Sequence, residues 1–246
     1  MKSFIDLNCD MGEGVGNESL IMPFISSANI ACGFHAGDES LMESTAALCL
    51  KHQVAIGAHP SFPDRENFGR TRMNIDPEFL SEMIVQQLLV MSKVCSGLGT
   101  RLNHVKPHGA LYNMAAEDLK LARAIVSAVK KIDSSLIFYG LSGSQMATAA
   151  EEAGLTFFHE VFADRTYTKS GTLTPRSDPD ALIHDPATAA EQALRFAKAK
   201  GVLAEGVHLT LKADTICIHG DGPDAVGFAR AIHERFQEER IQIRVK

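Results

Sequence analysis

The sequence lacks most of the local signatures that announce a particular chemistry. No G-x-x-x-x-G-K-[ST] is present, which removes a P-loop, and no G-x-G-x-x-G follows a strand as a dinucleotide fingerprint does. GEGVG, after the first apolar run, is a partial match whose loop does not lead into a helix. No G-x-S-x-G elbow occurs, and GLSGSQ has the wrong spacing to replace one. There is no Lys/Arg-rich block, and the net charge is −6, so nucleic acid is not the expected partner. The five cysteines (Cys9, Cys32, Cys49, Cys95 and Cys217) form no C-x-x-C. Their odd number and apolar settings indicate reduced thiols, not a disulfide framework. The N-terminus has no signal-peptide h-region, and no apolar run is long enough to span a bilayer. A cytoplasmic protein without a membrane partner is the expectation.

What the chain does contain is a repeated alternation. With 246 residues, 45% hydrophobic and 22% charged, it suits one α/β domain over residues 1–246 with a well-buried core. Strands are expected at 4–9, 28–32, 54–58, in LNHVKPHG, LIFYG and LTFFHEVFAD, and last in TICIHG. Helices are expected between them. Asp38 is placed to cap one, and Pro77 fits the first turn of PEFLSEMIVQQLLVMSKVCSGLG, with Gly97 or Gly99 at its end. AEDLKLARAIVSAVKKID, GSQMATAAEEAG, ATAAEQALRFAKAKG and PDAVGFARAIHERFQEER read as further helices. HPSFPDRENFGRTRMNID and RTYTKSGTLTPRSDPDALIHDP are long polar loops. About seven strand–helix alternations imply a mainly parallel sheet. A (β/α) barrel is preferred over an open sheet, because polar residues follow nearly every strand and not one switch point.

Those strand-end residues form the candidate site. Asp6, Asn8 and Asp10 share one face of the first strand by its period of two. His35 in CGFHAGD and His59 in GAHPS lie among glycines that permit close backbone approach. Asp10, His35 and His59 together are the best candidates for a divalent metal, although hydrogen bonding to a substrate explains them equally well. In KPHGALYN, Pro107 stiffens a turn that fixes Lys106 and His108, with Tyr112 and Asn113 as further donors. Asp164 is a candidate general base and Arg165 an anion clamp, or the two form a structural ion pair. Arg70, Arg72 and Arg176 sit on the two long loops, either closing over a ligand or solvated. His219 and Asp221 could bind an anion at the closing helix, or Asp221 could only cap it.

Taken in order, DLNCDMGEG, ANIACGFHAGD, GAHPSFPD, VKPHGALYN, EVFADRTY, GTLTPRS and ICIHGD resemble the LamB/YcsF family almost from end to end. Members tend to carry a glycine before Phe-Gly-Arg and a second arginine directly after it, where this chain has Asn67 and Thr71. The resemblance implies a distorted (β/α) barrel of about seven mainly parallel strands, similar to polysaccharide-deacetylase and glycosidase-like barrels. It also implies a subunit of an ATP-dependent 5-oxoprolinase. Such an enzyme opens 5-oxo-L-proline to L-glutamate with release of ADP and phosphate, and works with partner subunits B and C. ATP, with Mg²⁺ as companion, is the implied co-substrate; homo-oligomers stay open. On that chemistry Lys106 and Arg165 suit the phosphoryl oxygens. Asp10, His35, His59 or Asp164 suit water activation, and His108 or His219 suits the leaving nitrogen. Asn8, Arg70, Arg72, Tyr112, Arg176 and Asp221 would contact substrate or phosphate. A metal-dependent deacetylase or amidohydrolase, and a non-catalytic ligand-binding subunit, are the alternatives.

Overall fold

The computed structural model describes residues 3–245. Seven parallel strands close into a barrel: β1 (Phe4–Met11), β2 (Ser27–Ala31), β3 (Ala55–His59), β4 (His104–Val105), β5 (Ile137–Leu141), β6 (Phe157–Phe162) and, after a small hairpin, β9 (Thr215–Ile218). Closure is made where β9 pairs with both β1 and β6. The hairpin consists of β7 (Val202–Ala204) and β8 (Val207–Leu209), paired antiparallel. A final short strand, β10 (Gln242–Ile243), adds in parallel to the start of β1. The expected seven-strand parallel barrel is therefore the observed one.

Helices cover the outside: α1 (Glu18–Ile21), α2 (Glu39–His52), α3 (Pro77–Gly97), α4 (Gly109–Glu117), α5 (Leu119–Ile132), α6 (Gln145–Ala153), α7 (Pro186–Ala197) and α8 (Ala225–Glu238). Aspartate starts many of them. Asp38, Asp76, Asp118, Asp185 and Asp224 each accept from a free amide in the first turn of α2, α3, α5, α7 and α8, where that donor has no helical partner. Pro77 and Pro186 sit in first turns, where a missing N–H costs nothing.

Several elements depart from the expectation. The segment after KPH is the helix α4, and Asp118 separates it from α5 because its carboxylate caps the second helix. Asp224, not Asp221, caps α8. The hairpin β7–β8 and strand β10 are not anticipated by the sequence pattern. They are two or three residues long, too short to show a period.

The inside of the barrel is unusually polar. Asp6, Asn8 and Asp10 do share the inward face of β1. At the closed end Asp6 accepts from Ser26 Oγ (2.7 Å) and Ser27 Oγ (2.6 Å). One layer up, Asn8 Nδ2 donates to Glu160 (2.9 Å) and Thr215 (2.7 Å), and Asn29 Nδ2 donates to Asn8 Oδ1 (2.8 Å). His104 Nε2 meets Asn29 Oδ1 at 2.8 Å, and its ring stacks on Tyr139. Gly57 on the neighbouring strand leaves room for that ring, since a Cβ there would fall inside it. A buried polar layer of this kind is stable only because nearly every member is hydrogen-bonded.

Burial pushes the His104 pKa down from 6.5 to about 3. Below pH 6.5 the unfolded chain gains a proton that folded His104 refuses, so stability falls as pH drops through that value toward 3. Urea unfolding at pH 7 and pH 5 is expected to show a loss of about 2 kcal/mol from this residue. The variant His104→Gln should flatten that part of the profile.

Candidate active site

The ends of six of the seven strands, all but β2, line a cleft of about 310 Å³. Its lining includes Asp10, His59, Lys106, His108, Tyr112, Arg165 and His219, with Arg70, Arg72 and Arg176 from the two long loops. Residues far apart in sequence thus meet in one place. Four of the predicted residues do not line it, one of them Asp221, which is paired with Arg70. Asn8 lies fully buried one layer below the floor, and Asp164 and His35 stand behind other side chains.

Lys106 sits at the floor and is only 2% exposed. Its Nζ donates to Asp10 Oδ1 at 2.8 Å and pairs with Glu160 Oε1 at 3.0 Å, with Cys217 Sγ also at 3.0 Å. An ammonium has three protons, so these neighbours saturate it. Lys106 is therefore committed to holding Asp10 and does not point a free donor at a phosphoryl group. Burial favours a neutral Asp10, but His59 and Lys106 outweigh that and hold its pKa well below the usual carboxylate range. Burial likewise opposes the charge on Lys106, and Asp10, with Cys217 and Glu160, keeps its pKa well above normal.

His59, at the end of β3, is fixed by Nδ1 on the carbonyl oxygen of Lys106 at 2.7 Å. Its Nε2 lies 3.4 Å from Asp10 Oδ2 and 3.0 Å from His108 Nδ1. His108, just before α4, meets the carbonyl oxygen of Phe68 through Nε2 at 2.9 Å. The ring of His35 stacks on His108 at 3.8 Å and 5°, and its Nε2 reaches Glu13 Oε1 at 3.2 Å. Burial drives the pKa of His35 down to about 2 and that of His108 well below normal. Burial, then Asp10 and Asp221, pushes that of Glu13 well up.

Phe68 belongs to a tight loop held by Asp64, whose carboxylate accepts from Asn67 Nδ2 (2.7 Å) and Thr71 N (2.9 Å). Asn67 and Thr71 thus fix the loop carrying Arg70. Arg70 pairs with Asp221 at 2.6 Å and lies over the Phe68 ring, whereas Arg72 is exposed and 3.8 Å from Glu117.

Asp164 and Arg165 do not form the expected pair. Asp164 Oδ2 accepts from the backbone N–H of His219 at 3.0 Å and meets its Nδ1 at 2.8 Å. Burial raises the pKa of Asp164, but His219 more than offsets this, so the carboxylate is ionised and Nδ1 carries a hydrogen. Asp164 thus orients the His219 ring and leaves Nε2 as its other nitrogen. Arg165 donates through Nε to Ala181 O (3.2 Å) and through Nη2 to Thr174 O (2.6 Å). It ties down the second long loop and is no simple anion clamp.

The metal expected on Asp10, His35 and His59 does not find that donor set, because Asp10 is bound to Lys106 and to Asn29 Nδ2, each at 2.8 Å. The convergent donors are Glu13, His35, His59 and His108, within 4.8 Å of one another. As a set of four they do not suit a tetrahedral zinc ion. Zinc–nitrogen bonds of about 2.0–2.1 Å separate tetrahedral ligands by about 3.4 Å, but His59 Nε2 and His108 Nδ1 are 3.0 Å apart. The stacked rings of His35 and His108 also prevent one ion from lying in both ring planes.

Sequence reasoning misses Glu13, Asn29, His104 and Glu160. Glu13 stands in the acid- and glycine-rich loop NCDMGEGVGN, and its place directly after the first strand is the available signal.

Gly69 has φ +67°, and a Cβ there would stand 2.9 Å from both His108 Cδ2 and His35 Cβ. Gly69→Ala is expected to lower stability by about 1–3 kcal/mol. It should also part the His35–His108 stack, which thermal unfolding and a crystal structure of the variant check.

The LamB/YcsF family model matches residues 5–246. A protein of Bordetella pertussis, named as the A subunit of 5-oxoprolinase, is 50% identical, with 99% of each chain covered. A protein of the same name from Bordetella parapertussis is equally similar, at 50% identity and 99% of each chain. The shared name denotes one component of an assembly. The crystal structure of a lactam utilization protein from Thermus thermophilus superposes with a TM-score of 0.93, at 40% identity over 100% of both chains. A family 4 carbohydrate esterase from Streptomyces lividans has a TM-score of 0.53 at 9% identity, covering 98% of this chain and 91% of its own, a likeness of fold alone. Matched by the family model from its first strand to its last residue, this chain belongs to the LamB/YcsF family.

Proposed function

We propose that this chain is the ring-opening subunit of an ATP-dependent 5-oxoprolinase, acting with subunits B and C to turn 5-oxo-L-proline into L-glutamate. A lactam resists opening because its amide is resonance-stabilised, and because the freed amine stays beside the carbonyl and re-closes the ring. Transfer of a phosphoryl group from ATP, with Mg²⁺ as companion, to the lactam oxygen makes the carbonyl carbon a better electrophile. Water then adds to that carbon. If phosphate left the tetrahedral species first, the lactam would simply return. The C–N bond must break first, giving an acyl phosphate that a second water hydrolyses to glutamate and phosphate.

This route needs a base for water, an acid for the departing nitrogen and cations for the phosphoryl oxygens. The observation that carries the reading is the division of these roles within one cleft. His219, following β9, presents an accepting Nε2 because Asp164 holds its Nδ1 hydrogen. His59, on β3, lies across the mouth, separated from β9 by two strands on one side and three on the other. Arg70, Arg72 and Arg176 on the rim are the cations that can meet phosphoryl oxygens, in place of the saturated Lys106. Tyr112 and Asn113 line the same cleft as donors for the substrate carboxylate.

The test is reconstitution with subunits B and C, following glutamate release from 5-oxoproline and ATP. His219→Ala should lower kcat by about 10²–10⁴-fold with little change in KM. Asp164→Asn should fall between that variant and the parent. Glutamate formed without ATP, or near-normal turnover by His219→Ala, would overturn the reading. A change in substrate affinity with no change in rate would instead mark a ligand-binding subunit.

A further inference from the structure

The 3.0 Å approach of His108 Nδ1 to His59 Nε2 is not explained by two neutral rings. A carbonyl oxygen can only accept, so each ring has one nitrogen whose hydrogen is fixed. His59 carries it on Nδ1, toward Lys106 O at 2.7 Å, and His108 on Nε2, toward Phe68 O at 2.9 Å. The other two nitrogens would then face each other as lone pairs, inside the protein, where repulsion is poorly screened. A positive charge must lie between them. A tetrahedral zinc ion does not fit there, for the reason of distance already given. A proton does, because 3.0 Å is an ordinary hydrogen-bond length for a ring N–H donor.

We infer that His59 and His108 hold a single shared proton as an imidazolium–imidazole clasp, and that this proton is the acid that releases the lactam nitrogen. The second half rests on the proposed ring opening; the first does not. The proton resides on His59. Asp10 Oδ2 lies 3.4 Å from His59 Nε2, whereas burial pushes the His108 pKa well below normal.

The surroundings agree with one added positive charge. The groups facing the clasp are Asp10 from β1, Glu13 from the loop after it and His35 from the loop after β2. Arg70 comes from the loop after β3 and Lys106 from the end of β4, with His219 and Asp221 beyond Asp10 and Glu13. Burial pushes the Glu13 pKa up and the His35 pKa down, which favours the neutral form of each. Asp10 and Glu160 share the single ammonium of Lys106, and the second oxygen of Asp10 faces His59 Nε2 at 3.4 Å.

The step balances. Water attacks the phosphorylated lactam carbon and passes a proton to His219 Nε2. The C–N bond then breaks with its electron pair going to nitrogen, which takes the clasp proton, while the tetrahedral hydroxyl becomes the acyl C=O and its proton passes to the freed amine, which leaves as an ammonium. His59 and His108 are left neutral, and solvent returns the proton from His219 to reset the site.

Nitrogen-15 spectra of histidine-labelled wild-type protein give the first test. The expected result is one ring protonated at both nitrogens and bonded to a second ring protonated only at Nε2, unchanged by chelator. The second test uses the reconstituted complex. His108→Ala should lower kcat about 100-fold or more, with KM little changed, and added imidazole should restore part of the rate. Turnover of the parent should fall as alkaline pH empties the clasp, and in His108→Ala that fall should move to another pH. Two neutral rings in the spectra, or a stoichiometric metal that restores activity after chelation, would overturn the clasp. A protonated pair with full activity in His108→Ala would leave the clasp standing and remove its role as acid. A protonated pair in a complex that does not open 5-oxoproline would instead refute the proposed function.

Discussion

The ammonium of Lys106 lies almost out of reach of water, and most of the site is arranged around that charge. A buried charge without partners is strongly destabilising, and removing one partner from such a group costs about 3–5 kcal/mol. Asp10 and Glu160 are the partners, with Asn8 and Cys217 completing the shell. The pairing fixes Asp10 as a carboxylate at the mouth of the barrel. The backbone of Lys106 fixes something else, because its carbonyl oxygen sets the tautomer of His59. One position therefore determines both the negative charge and the direction in which the neighbouring imidazole presents its free nitrogen.

From that anchor the two sides of the cleft acquire opposite characters. The His219 side has a carboxylate behind the imidazole and an accepting nitrogen in front. The His59 side has a carboxylate beside the imidazole and a second imidazole closing the free position. Each arrangement depends on backbone groups as much as on side chains. Phe68 supplies a carbonyl from a left-handed position in the loop that Asp64 holds. Gly69 and Gly109, both with positive φ, allow that loop to touch the start of α4, and a Cβ on Gly109 would collide with the carbonyl oxygen of Gly69.

Much of this is legible in the chain, and the part that is not has a physical explanation. Asp10, His59, Lys106, His108 and His219 are identifiable because polar groups at the ends of apolar strands must face a rim. The period of two places Asp6, Asn8 and Asp10 on one inward face. Glu160 is not identifiable, because it lies inside a strand and its partner Asn8 is 152 residues away, joined only through closure of the barrel. His104 sits on a strand of two residues, too short for a pattern, and its space comes from a glycine on another strand. The role of Asp164 depends on whether it faces the cleft or His219, and sequence order does not decide that. The tautomers of His59 and His108 need the positions of two carbonyl oxygens.

A polar barrel interior usually counts against a fold, since apolar packing of the same volume is at least as stable. Here the layers are graded. The serines around Asp6 hold a carboxyl whose pKa burial raises, the amides of Asn8 and Asn29 form the middle beside Glu160, and Lys106 links that layer to Asp10 at the mouth. Each layer gives the next a fixed hydrogen-bonding partner, so the groups at the mouth cannot turn to satisfy themselves. Rigid polar groups that need no rearrangement stabilise developing charge more effectively than mobile ones. The stability given up in the interior is therefore tied to the property the cleft requires, and an apolar substitution at Asn8 or Asn29 would be expected to relax Asp10 and Lys106 before it unfolded the barrel.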